Sequence, residues 1–68
     1  METSARNQLR GTVKAVSIGA VMAEVIVDVS GIDVVAAITK DSAERLGLAA
    51  GKTVVAIVKA TDVMIGVD

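Results

Sequence analysis

The sequence predicts a mainly β fold: a five-stranded, partly open barrel with one short helix between the third and fourth strands, assembled as an oligomer. Three observations carry this. Apolar and polar residues alternate with period two along most of the chain, and the apolar ones are largely β-branched. Short Gly-containing breaks divide the alternation into segments of strand length. One stretch only, Lys40 to Gly47, abandons the alternation for a one-sided helical pattern.

The first strand is read from about Asn7 to Ser17, with Leu9, Gly11, Val13 and Ala15 on one face and Arg10, Thr12 and Lys14 on the other. Gly19-Ala20 turns the chain into a second strand, about Val21 to Val29. Its inner face is Val21, Ala23, Val25, Val27 and Val29, and its outer face Met22, Glu24, Ile26 and Asp28. Ser30-Gly31 is a two-residue hairpin signal, since glycine tolerates positive φ. The third strand, Ile32 to Thr39, is apolar on both faces from Val34 to Ile38, which predicts cover on both sides. Asp41 then fits an N-cap with Glu44 at N3, Ala43 and Leu46 a one-sided apolar contact, and Gly47 the C′ position. Gly51-Lys52 leads into a fourth strand, Thr53 to Ala60. Thr61-Asp62 breaks it, and Val63 to Val67 forms a short fifth. Five short strands with this helix placement describe an OB-like barrel. Without repeat, linker or low-complexity segment, residues 1–68 read as one domain, complete from Met1.

Sixty-eight residues bury a small core, and a domain of this size is marginal by itself. The usual supplements are disulfides, a metal or association. The chain has no Cys for a disulfide, neither Cys nor His for a zinc site, and no Phe, Tyr or Trp, yet 53% of it is hydrophobic with a mean hydropathy of +0.67. Self-association is the simplest cover for that excess. A membrane span needs about 20 apolar residues, whereas the longest uncharged stretch is Ala15 to Ala23. No basic region precedes an apolar one at the N-terminus, so no signal peptide is read, and a chain without a disulfide framework is expected in the cytoplasm. The net charge of −1 argues against a general nucleic-acid binder, and without aromatic residues bases have no stacking platform. No His or Cys is present for general-base or thiolate chemistry, and no phosphate-loop, dinucleotide or serine-nucleophile pattern appears. The chain therefore reads as a binding protein and not an enzyme, with no protein-ligated metal and no organic cofactor.

An anion site in so acidic a chain must be local. Ser4 and Arg6 stand two positions apart in an extended segment, so both can aim at one point. The residues by themselves fit a solvated N-terminal arm somewhat better, because termini are usually mobile. Lys59 continues the row Thr53, Val55, Ile57. A lysine there can simply reach water; otherwise it needs an anionic partner. Thr39 and Ser42 flank the helix start, where amide N–H groups and the dipole favour anions, and equally suit ordinary capping. Asn7 and Lys40 are weaker candidates. Asp41 would repel an anion unless its carboxylate turns to the helix amides. Met22 and Met64 fit gap-filling core better than soft-metal ligation.

The runs Thr3-Ser4-Ala5-Arg6-Asn7, Gly11-Thr12-Val13, Val21-Met22-Ala23-Glu24-Val25, Ala36-Ala37-Ile38-Thr39-Lys40, Ser42-Ala43-Glu44-Arg45-Leu46-Gly47-Leu48 and Val58-Lys59-Ala60 resemble, in order and over nearly the whole chain, the molbindins. These are small molybdate- and tungstate-binding proteins whose module also forms the ligand-sensing end of the molybdate-responsive transcription regulator. The resemblance implies an OB-like fold, matching the pattern above. It implies that Ser4 and Arg6 contact the oxyanion, and that Lys59 and the backbone N–H of Ala60 form a second contacting segment. It further implies that the hydroxyls of Thr39 and Ser42 line the pocket. It implies a homohexamer, a trimer of dimers, holding oxyanions between subunits for molybdenum- or tungsten-cofactor enzymes; the composition above leaves neither nucleic acid nor membrane as an expected partner.

The chemistry is consistent with such a ligand. Molybdate and tungstate are tetrahedral dianions that accept hydrogen bonds only, and hydroxyls, amides, Arg and Lys can all donate. Phosphate carries a proton near neutral pH and would find no acceptor. Three alternatives stand beside this reading: a nucleic-acid-binding OB module, an assembly domain without a working site, and a pterin binder, the last lacking any aromatic surface for the ring.

Overall fold

A computed structural model describes residues 1–68. Four strands form one antiparallel sheet: β1 (Asn7–Ile18), β2 (Met22–Val29), β3 (Ile32–Thr39) and β4 (Thr53–Val58), in the order β3-β2-β1-β4. Helix α1 (Lys40–Arg45) follows β3, and a single 3₁₀ turn (Ala60–Asp62) follows β4. The alternation of β-branched residues explains the sheet, because one face must be buried for the register to hold. That face carries Val13, Ala23, Val25 and Val27, all buried, with Val16, Val29, Ala36, Ile38, Leu48 and Val54 packed around the valine cluster.

β1 departs from simple alternation. Its register with β2 steps from Val13↔Val27 to Ala15↔Ile26, a bulge that leaves Lys14 extra and moves every later residue to the other face. Val16 therefore turns inward, and Ala15, expected on the inner face, is exposed. Lys14 is freed to reach over β2 to Asp33, at 3.1 Å. The hairpin between β2 and β3 is as expected, with Ser30 and Gly31 both at positive φ (51° and 87°) and Val29 paired to Ile32.

The helix begins two residues earlier than its sequence suggests. Thr39, not Asp41, is the N-cap: its backbone is extended and its Oγ1 accepts the Ser42 N–H at 3.1 Å. A threonine at the strand end already has the φ/ψ that an N-cap needs, which leaves Asp41 in the first turn. The C-terminus closes with Gly47 N–H donating to Glu44 O and Leu48 N–H to Ala43 O, the paired bonds of a Schellman motif. Gly47 sits at φ 63°. Gly47→Ala is expected to lower stability by about 1 kcal/mol, or some 4–8 °C in melting temperature for a domain of this size, read by circular dichroism at fixed protein concentration. Lys52, placed by its sequence in a turn, also donates from Nζ to the carbonyls of Leu46 and Gly47.

The fifth strand does not form. Residues 63–67 carry no strand pairing, and Met64, Ile65 and Val67 are 91%, 87% and 95% exposed. An apolar alternating segment becomes a strand only with an edge to pair, and here it meets none. β4 also stops at Val58, so Lys59 and Ala60 lie beyond it. The inward residues of β4 are half-buried Val54, Ala56 and Val58, whereas Ile57, in the row leading to Lys59, is 46% exposed.

The sheet curls until its two edges share a trough of about 320 Å³, lined entirely by apolar side chains from β3, β4, β2 and the end of α1. The trough is where a closing strand would lie, and in the single chain it is open. Cover on both faces of β3 is likewise absent, with Val35 60% exposed. Met22 and Met64, expected to fill core gaps, are exposed.

Candidate functional site

The antiparallel register of β1 and β4 runs from Thr12↔Thr53 to Asn7↔Val58. Arg6 immediately precedes the last pair and Lys59 immediately follows it. Both lie just beyond the last pair, so this end of the ribbon collects a guanidinium and an ammonium from distant parts of the sequence. Both are exposed, and neither makes an ion pair or a side-chain hydrogen bond. Ser4 is exposed two residues before Arg6, Asn7 is the half-buried first residue of β1, and Ala60 opens the 3₁₀ turn after Lys59. Thr3 Oγ1 accepts the Ala5 N–H at 3.2 Å, and Gln8 Nε2 donates to Ala5 O at 2.8 Å. These two bonds shape the segment that carries Ser4 and Arg6.

Thr39, Lys40 and Ser42 form a second group. The Thr39 hydroxyl donates to Ser42 Oγ at 2.8 Å while accepting the Ser42 amide, so the Ser42 hydroxyl proton is the donor left over. The Lys40 amide donates to Val21 O. Fewer helix N–H groups are therefore free than the helix start suggests. Lys40 Nζ stands 4.0 Å from Glu44, a contact between exposed side chains that holds it weakly. Asp41, whose carboxylate the sequence reading turned to the helix amides, is exposed and caps nothing.

The two groups stand at opposite ends of the β1 register. Thr39 pairs with Met22, beside the Ala23↔Ile18 pair at the far end of β1, whereas Arg6 and Lys59 stand at its start.

Sequence reasoning passed over Gly11. A Cβ there would collide with the carbonyl oxygen of Asp28 and lie 2.8 Å from Val27 Cγ1. The available signal was a glycine interrupting an alternating strand, which marks a close backbone approach.

Comparison with known proteins agrees over the whole length. The TOBE domain matches residues 3–65. The chain is 50% identical to molybdenum-pterin-binding protein 3 of Clostridium pasteurianum, over 96% of this chain and 97% of the relative. A molybdate-binding protein from Sporomusa ovata superposes with a TM-score of 0.91 at 46% identity, covering 96% of this chain and 97% of the other. The cytoplasmic molybdate-binding protein ModG, solved with molybdate bound, gives a TM-score of 0.84 at 52% identity, covering 88% of this chain and 43% of its own. By sequence over nearly its full length and by fold, this chain belongs to the TOBE family, among the small molybdate-binding proteins of molbindin type.

Proposed function

We propose that residues 1–68 form one oxyanion-binding domain that stores and buffers molybdate or tungstate in the cytoplasm. The oxyanions are held between subunits of a homo-oligomer, a hexamer built as a trimer of dimers. The observation that carries the reading is the pair of unpartnered cations, Arg6 and Lys59, just beyond the last β1–β4 pair, in a chain 50% identical to a molybdenum-pterin-binding protein. Ser4, Arg6, Lys59 and the Ala60 amide supply one wall of the site. Thr39 and Ser42 of another protomer supply the other, with Asn7 and Lys40 at the margin. Each group has a donor to offer except Thr39, whose hydroxyl proton goes to Ser42 Oγ and orients that hydroxyl, and charge-assisted bonds from Arg and Lys are about twice as strong as neutral ones. No catalytic step is assigned to them.

Area supports association. A folded monomer of 6.9 kDa exposes about 4,000 Å², whereas this chain exposes 5241 Å². The excess, about 1,200 Å², exceeds what one partner contributes to a standard interface, about 800 Å². The open trough and the unpaired apolar residues 63–67 are where much of it lies. Ile65→Asp is expected to leave the isolated fold intact, because Ile65 is 87% exposed, and to shift native mass spectra toward smaller species. An unchanged assembly would remove that segment from the interface.

The deciding experiment is calorimetric titration with molybdate and then tungstate in a large excess of sulfate, alongside native mass spectrometry. Saturable binding to a hexamer that ignores sulfate is the expected result. A hexamer that produces no heat would leave only an assembly domain.

A further inference from the structure

The net charge of −1 conceals a strong segregation. Residues 3–23 and 45–61 contain no Asp or Glu, while all eight carboxylates lie in residues 1–2, 24–44 and 62–68. The β1–β4 ribbon is therefore the positive side of the sheet and β2–β3 the negative side. Most cations of the positive segments are engaged, already assigned or, like Arg45 at the end of α1, off the ribbon. Lys14 is paired with Asp33, Lys52 caps α1, and Arg6 and Lys59 belong to the proposed site.

Arg10 is different. It is exposed and has neither an ion pair nor a hydrogen bond. It lies opposite Val55 in the β1–β4 register and lines, with Met1, Gln8 and Val55, a shallow concavity of about 400 Å³. Its parity along β1 is that of Gln8 and, two residues earlier, Arg6. It stands four residues from Arg6, so at most about 13 Å away. That places it within one screening length of the site at low salt.

We infer that Arg10 is a steering cation: it attracts the oxyanion to the β1–β4 face and toward Arg6 and Lys59 without touching it when bound. The inference rests on the proposed oxyanion site. Its physical content is range. A contact between bound groups survives salt, whereas a field acting over about 13 Å is nearly extinguished once the screening length falls to a few ångströms.

The test is calorimetric titration of the full chain with molybdate at several sodium chloride concentrations, comparing the native protein, Arg10→Glu and Arg10→Lys. Reversing one charge about 13 Å from a dianion in a water-like dielectric should weaken binding about fourfold at 0.01 M salt. The loss should shrink to about 1.1-fold at 0.5 M, and Arg10→Lys should follow the native salt profile. A loss of tenfold or more that persists at 0.5 M would make Arg10 a direct ligand and overturn the inference. Equal affinity at low salt, or a salt-independent loss, would overturn it too while leaving the storage reading intact. A native chain that binds no molybdate would overturn both.

Discussion

Titrated with molybdate, Arg6→Ala and Lys59→Ala should each bind about ten- to a hundredfold more weakly than the native chain, with unchanged circular dichroism. The magnitude follows from losing one charge-assisted hydrogen bond, worth about 1.5–3 kcal/mol, at about 1.4 kcal/mol per factor of ten. Stability should be untouched because neither side chain has a partner in the fold to lose: both are exposed and unpaired. The double variant should lose more than either single one, because a dianion left with hydroxyls and amides alone has no counter-charge to offset its desolvation. Isotherms matching the native chain in both single variants would show that the oxyanion binds elsewhere.

Gly11→Ala should act on the fold itself. The added Cβ meets the backbone oxygen of Asp28, with Val27 Cγ1 at 2.8 Å and Val29 Cγ2 at 3.0 Å. A flexible side-chain tip could move aside, but the β2 backbone is held by β1 on one side and β3 on the other. Overpacking a core costs about 1–3 kcal/mol and sometimes more, and a backbone obstacle belongs at the upper end. At about 4–8 °C per kcal/mol, the midpoint should fall by at least about 12 °C at matched protomer concentration. A midpoint within a few degrees of the native one would show that β1 and β2 can separate at this point without loss.

The sheet was largely legible in the sequence because one buried face enforces period two. Ala23, Val25 and Val27 were expected inside and are there. The turn residues Gly31 and Gly47 were legible because positive φ selects glycine, whereas Ser30 adopts it in spite of its Cβ. What escaped detection depends on relations between strands. The bulge that exposes Ala15 and turns Val16 inward is a property of the β1–β2 register, invisible in β1 alone. Thr39 displaced Asp41 as N-cap because the end of β3 had already set its backbone. Residues 63–67 have the pattern of a strand, and pattern cannot say whether an edge is within reach. The candidate site was legible as residue types, and Arg6 and Lys59 do fall at one end of the ribbon. The distance from there to Thr39 and Ser42 follows from topology, which residue types do not contain.

That separation bears on how the proposed store would fill and empty. With Arg6 at one end of β1 and Ser42 beyond the other, the proposed site would be divided between protomers, each carrying two half-cages. Under the proposed function, capacity counts contacts between chains and not chains themselves. Newly made copies hold nothing until they meet, and dilution discharges the cargo with no hinge, lid or chemical step. Release and disassembly are then a single event, and the abundance of the protein sets the threshold at which the reservoir exists at all.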